Sequence, residues 1–278
     1  MPRVLLIGDE QHPEFRAATD WLREHTELIV AATGDDARGE LARRRGVDDG
    51  PPLEPDVIMV AQSRPGQFAA QDLEQLHGLA PLARLVALLG SWCEGETRTG
   101  HPWPGVMRLF WHQWQPRFAR ELLRNAAAAT WHLPRTVTDV EQLLHQRPQS
   151  PPHQLCGHAG LIAIHTYDVI SFDCLADAGR IGGYAVARVP PDALHAVRGA
   201  SAAIFDSRMS SDAEFETLKK FAESLRPVPV VAILSFPRLD DCSRALAAGA
   251  VAVIGKPFLV DDLLWQIETV VRTVAEAA

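Results

Sequence analysis

Short apolar runs alternate with amphipathic or polar stretches along the chain, and they fall into two successive series. In the second series, residues 161–164, 184–189, 202–206, 230–235 and 250–256 are apolar almost throughout, without an in-out alternation. Such runs suit strands buried on both faces of a parallel sheet. Between them lie segments at 168–178, 192–197, 212–225, 240–248 and 260–275 that read as helices. The clearest places Phe215, Leu218, Phe221 and Leu225 along one helical face. The first series repeats the rhythm, with strands expected at 4–7, 27–33, 55–61, 85–89 and 106–110 and a helix running to about Glu24. Alternating strands and helices predict α/β domains with doubly wound parallel sheets. The expectation is two five-stranded domains in tandem, 1–124 and 158–278. A partly helical linker over 125–157 joins them, where Pro134, Pro148, Pro151 and Pro152 and a Gln/His-rich composition break the pattern.

Side chains at the carboxyl ends of neighbouring parallel strands converge on one crevice. The run 202–206 ends in Asp206, 230–235 in Ser235, and 250–256 in Lys256 followed by Pro257. Only three lysines occur in the chain, Lys219, Lys220 and Lys256, so abundance does not explain one at this strand end. A carboxylate, a hydroxyl and an ammonium delivered together have the layout of a phosphoacceptor site. Taken singly, Asp206 reads equally as a helix cap and Lys256-Pro257 as a plain strand end; the order of the three gives them meaning.

These parts resemble the receiver domain of bacterial response regulators over residues 158–276. The most specific piece is the Gly249-Ala250 turn followed by the strand and Gly255-Lys256-Pro257-Phe258. The resemblance implies a flavodoxin-like sheet in which Asp206 accepts a phosphoryl group, Ser235 bonds it and Lys256 neutralises it. It also implies an acidic pair at the end of the first strand to hold Mg²⁺, and here this chain departs from the family. Those positions carry His165 and Thr166. Mg²⁺ demands oxygen ligands, and a neutral imidazole serves it poorly. Asp168, a turn further on, contributes only if its loop bends back. No resident metal or cofactor is therefore expected, and any Mg²⁺ affinity is expected to be weak. The first series departs further. Ala61 falls where the phosphoacceptor would be and offers no nucleophile, and the last strand ends Phe110-Trp111-His112 with no lysine. Asp9 and Glu10 keep acidity at the first strand end, read first as a solvated strand end or helix cap.

Composition narrows the function classes. A formal charge of −8 removes the electrostatic term that drives nucleic-acid binding, so no nucleic-acid partner is expected. No apolar stretch is long enough to span a bilayer and no signal peptide is evident, which predicts a cytoplasmic protein without a membrane partner. Cys93, Cys156, Cys174 and Cys242 lack metal-ligand spacing and read as reduced thiols. The segment 90–105 is rich in Gly, Pro and polar groups, and the stretch from 92 to 114 concentrates Trp92, Trp103, Trp111 and Trp114. Together with Arg98 these form an expected contact surface; tryptophans folded inward over a depleted pocket are the alternative. Cys93, Glu94, Glu96, His101 and His112 match no defensible catalytic pattern, so no enzyme is expected.

The function expected is a regulatory protein of two-component, phosphorelay type that works through protein contacts: a pseudo-receiver followed by a degenerate receiver, with a histidine kinase or a second copy of the chain as partner. Phosphorylation of Asp206 stands as the second reading. An enzyme or small-molecule sensor using 90–105 is a third.

Overall fold

In a computed structural model, which describes residues 1–45, 54–123, 133, 136–137, 141, 160–190 and 197–277, the chain divides into two units, Met1–Arg147 and Pro148–Ala278. Most of the expected linker, and residues 192–196 of the helix expected at 192–197, lie outside the described residues.

The first unit runs β1 (Arg3–Ile7), α1 (Arg16–His25), β2 (Glu27–Ala31), α2 (Gly34–Arg45), β3 (Val57–Gln62), α3 (Ala70–Leu79), β4 (Arg84–Leu89), α4 (Glu96–Thr99), β5 (Met107–Phe110) and α5 (Arg120–Leu122). A π-helical turn, Trp114–Ala119, leads into α5. The second unit runs β6 (Leu161–His165), α6 (Val169–Ile181), β7 (Ala185–Arg188), β8 (Ala202–Asp206), α7 (Asp212–Leu225), β9 (Val230–Ser235), α8 (Leu239–Ala247), β10 (Ala252–Lys256) and α9 (Val260–Ala277).

Both sheets are parallel throughout, with spatial orders β2-β1-β3-β4-β5 and β7-β6-β8-β9-β10. This is the flavodoxin-like order, in which the chain reverses direction of travel beside the first strand and opens a crevice at the strand carboxyl ends. The central strands β3, β4 and β8 are buried at every position, as unbroken apolar runs require. Successive side chains point to opposite faces, so each sheet separates two apolar layers. Val4 and Leu6 join Phe15, Met59 and Phe118 on one face of the first sheet, while Leu5 and Ile7 join Leu41, Ile58 and Leu73 on the other. In the second sheet Phe205 packs with Phe215, Leu218 and Phe221, and Ile204 with Leu263 and Ile267.

Local signals set the helix ends. Asp168 caps α6 by accepting the Ser171 amide, and Ser211 caps α7 by accepting that of Glu214. Gly249 follows α8 at φ +102°, and a Cβ there would meet the Ala222 methyl at 2.9 Å, so geometry and space both call for glycine. Among the described residues no helix is long and apolar enough to cross a membrane.

Candidate functional site

The strand ends of the second unit bring carboxylate and ammonium together. Asp206 closes β8 opposite Ile233, and Ser235 and Lys256 are register partners at the ends of β9 and β10. Lys256 Nζ lies 2.5 Å from Asp206 Oδ1 and donates a hydrogen bond to the Ser207 carbonyl at 3.1 Å. The Thr166 hydroxyl donates to Asp206 Oδ2 at 3.0 Å. Both carboxylate oxygens are thus engaged, and the Asp206 side chain is only 3% exposed. Ser235 is half-buried beside the pair.

His165 stands apart from this cluster, contrary to its expected place in the pocket. Alternation along β6 sends Thr166 toward Asp206 and the preceding imidazole to the other face. There it stacks on Phe205 at 5.0 Å and tilts against Phe221, with Nδ1 3.0 Å from the Val189 carbonyl. That contact makes Nδ1 the protonated nitrogen. Burial pushes the imidazole below its ordinary pKa, so it is neutral.

The donor set does not suit Mg²⁺. Asp168 turns back onto its helix, one oxygen accepting the Ser171 amide and the other the Ser171 hydroxyl, both at 2.7 Å. These bonds, the amide's first, hold its carboxyl below the ordinary value. Among the described residues no cluster of three His, Cys, Asp or Glu side chains could hold a metal.

A third carboxylate, one the sequence did not single out, organises the loop after Asp206. Glu214 in the first turn of α7 accepts the Ser207 hydroxyl at 2.7 Å and the amides of Met209 at 3.0 Å and Arg208 at 3.2 Å. Burial alone would raise its pKa, but the Ser207 hydroxyl and the amides of Met209, Arg208 and Ser210 outweigh burial and hold it low. Read along the chain, Glu214 is an ordinary acid near a helix N-terminus. Only the return of the loop reveals what it ties.

The same strand ends in the first unit carry different chemistry. Register places Ala61 one residue beyond Val60, the partner of Ile7, just as Asp206 lies one beyond Phe205, the partner of His165. Counting onward in the same way, Gly90 stands where Ser235 does and Trp111 where Lys256 does. A methyl group, a hydrogen and an indole replace the carboxylate, hydroxyl and ammonium, and Glu14 moves in over Gly90. Its carboxylate accepts the Ser91 amide at 3.2 Å and the Ser91 hydroxyl, which in turn accepts Trp111 Nε1 at 3.0 Å.

The segment 90–105 is tied to the sheet by buried polar groups. Arg108 on β5 donates to Glu96 at 2.7 Å, and Gln62 at the end of β3 donates to Glu96 at 3.3 Å and reaches Cys93 Sγ at 3.7 Å. Cys93 is wholly buried, and burial pushes its thiol up to about 11, which makes it a structural rather than a nucleophilic cysteine.

The expected aromatic contact surface divides. Trp92 is 73% exposed and Arg98 is exposed, whereas Trp103 and Trp111 pack half-buried against apolar clusters. Trp114 is a correction: it lies in the core, edge-on to Trp21 at 5.7 Å and tilted against Phe118 at 5.8 Å. The four-residue spacing of Trp114, Phe118 and Leu122, all buried, carries the signal that would have shown it.

A cavity of about 420 Å³ opens beside Trp92, lined by Asp9, His12, Phe15, Ala61, Ser63, Arg64 and Gln67.

No protein-family model matches the chain, and no curated protein matches it. Solved structures with a similar fold include response regulators and receiver domains. NtrX from Brucella abortus is 20% identical over 41% of this chain, with a TM-score of 0.37. The chain spans only 28% of that NtrX chain. A CheY-like response regulator receiver domain protein from Methanospirillum hungatei is 23% identical over 42% of this chain and 98% of its own, with a TM-score of 0.38. The receiver domain of TorR, the response regulator of a TMAO respiratory system, is 15% identical over 42% of this chain and 98% of its own, with a TM-score of 0.37.

Proposed function

We propose that the chain is a signalling protein of the two-component type, a non-enzymatic regulator built from two receiver-like units that acts through contacts with protein partners without phosphorylation of Asp206. The observation that carries this reading is the closed Asp206–Lys256 pair at a strand end where His165 and Thr166 stand in place of an acidic pair and Asp168 is turned onto its own helix. Attack of a receiver carboxylate on a phosphodonor needs a free oxygen and a cation to offset the incoming charge. Here Lys256 covers one oxygen, Thr166 holds the other, and the Asp168 carboxylate is engaged in a helix cap. The first unit has a methyl group at the corresponding position and no route to an acyl phosphate. A net charge of −8 favours protein over nucleic-acid partners, with a histidine kinase or a second copy of the chain as the candidates.

Incubation of the full chain with acetyl phosphate and Mg²⁺, followed by intact mass, tests the reading. The expected result is an unchanged mass. A phosphoryl adduct present in the wild type and absent from Asp206→Ala would replace it with the phosphorylatable-switch reading, which the proximity of Asp206, Ser235 and Lys256 supports.

A further inference from the structure

The crevice that holds Asp206 in the second unit is, in the first, the open cavity beside Trp92. Its volume of about 420 Å³ falls within the range of small-molecule sites. The unused hydrogen-bonding capacity of its lining indicates what fits.

Gln67 Oε1 accepts both the Ser63 amide at 2.9 Å and the Ser63 hydroxyl at 3.1 Å, so its amide NH₂ is the group left to donate. His12 Nδ1 accepts the Glu14 amide at 3.4 Å, which assigns the proton of a neutral ring to Nε2, a second donor. Asp9 Oδ1 accepts the Gln11 amide at 3.0 Å and leaves Oδ2 as an acceptor. Arg64 is exposed and forms no ion pair or hydrogen bond among the described residues. The polar lining therefore offers one guanidinium, one carboxylate and neutral donors. Phe15, the Ala61 methyl and the Trp92 indole supply the apolar wall.

One fixed positive and one fixed negative charge match a ligand that carries one of each. A phosphate ester would meet a single guanidinium and be repelled by Asp9, and a metal ion would find a single carboxylate. We infer that the first unit binds a small zwitterion, an α-amino acid with an apolar side chain, whose carboxylate pairs with Arg64, whose ammonium pairs with Asp9, and whose side chain lies against Trp92 and Phe15. This makes the first unit a ligand-sensing input, and it holds whether or not Asp206 is phosphorylated.

The full chain, labelled with 5-fluorotryptophan and with the Trp92 resonance assigned through Trp92→Phe, is titrated with L-phenylalanine, L-leucine and L-tryptophan. It is also titrated with the carboxylate and the amine obtained by deleting one charged group from each. At least one amino acid gives a saturable shift of the Trp92 resonance, and its two single-charge analogues bind about tenfold to a hundredfold more weakly, the worth of one charge-assisted pair. Arg64→Gln weakens the amino acid by a similar factor and leaves the amine analogue unaffected. Asp9→Asn does the converse, leaving the carboxylate analogue unaffected. Both residues are exposed, so neither change threatens the fold. No saturable shift with any of the three amino acids overturns the proposal. So does equal affinity for an amino acid and its single-charge analogues, or binding that survives both substitutions.

Discussion

Replacing Lys256 by Met removes the ammonium from Asp206 and leaves an apolar side chain one atom shorter. The carboxylate is left 3% exposed with the Thr166 hydroxyl on one oxygen and nothing on the other. Breaking a buried ion pair from one side costs about 3–5 kcal/mol. Lys256 is 32% exposed, so water can reach Oδ1 along the path the lysine vacates, and the expected loss falls to about 2–3 kcal/mol. Asp206→Asn costs less, about 1–2 kcal/mol, because the remaining ammonium already touches solvent. If the two charges act on each other, the double variant loses less than the sum by about 1–2 kcal/mol. Urea unfolding of the full chain measures all four corners of the cycle. The probe is Trp265, the only tryptophan in Pro148–Ala278, observed by fluorine NMR after 5-fluorotryptophan labelling, so this unit reports on itself whether or not both units unfold together. Stability changes that add to within about 0.5 kcal/mol would refute the coupled pair and, with it, the closed site.

Other consequences are open to measurement. His165 is held neutral below its ordinary pKa of about 6.5, so the unfolded chain binds the proton first. Stability is full above that value and declines as pH falls toward the depressed folded value. His165→Phe should flatten the loss of second-unit stability between about pH 7 and about pH 5, and an unchanged slope would sink the assignment. Glu214→Gln replaces the charged acceptor of the Ser207–Met209 loop and should cost about 2 kcal/mol in the same urea assay, against a few tenths if the loop is held by other means. Cys174 is exposed and Cys93 buried with its thiol at about 11, so iodoacetamide should alkylate Cys174 in the native chain and reach Cys93 only in urea, as peptide mass mapping would show.

Strands that carry the second unit's chemistry were legible to the residue: β8 and β9 end at Asp206 and Ser235 because unbroken apolar runs stop there. α2 was not, since its sequence has almost no apolar face and, among its described side chains, only Ala37 and Leu41 reach the core. β3 runs one residue past the expected end because Gln62 is buried by partners Cys93 and Glu96, more than thirty residues away. Contacts at that separation leave no local pattern. For the same reason the sequence located Asp206, Ser235 and Lys256 but not Glu214, nor the turn of His165 onto Phe205, nor the cavity in the first unit.

Glu214 belongs to α7, yet its carboxylate grips the chain immediately beyond Asp206. The crest of β8 and the base of that helix are consequently tied together, so bulk or charge arriving at the strand tip would load the helix as well as the intervening turn. That helix is fourteen residues of rod, whose inner side presses Phe215, Leu218 and Phe221 into the sheet. A disturbance of atomic size at the crevice would then emerge along the helix flank as a lever stroke.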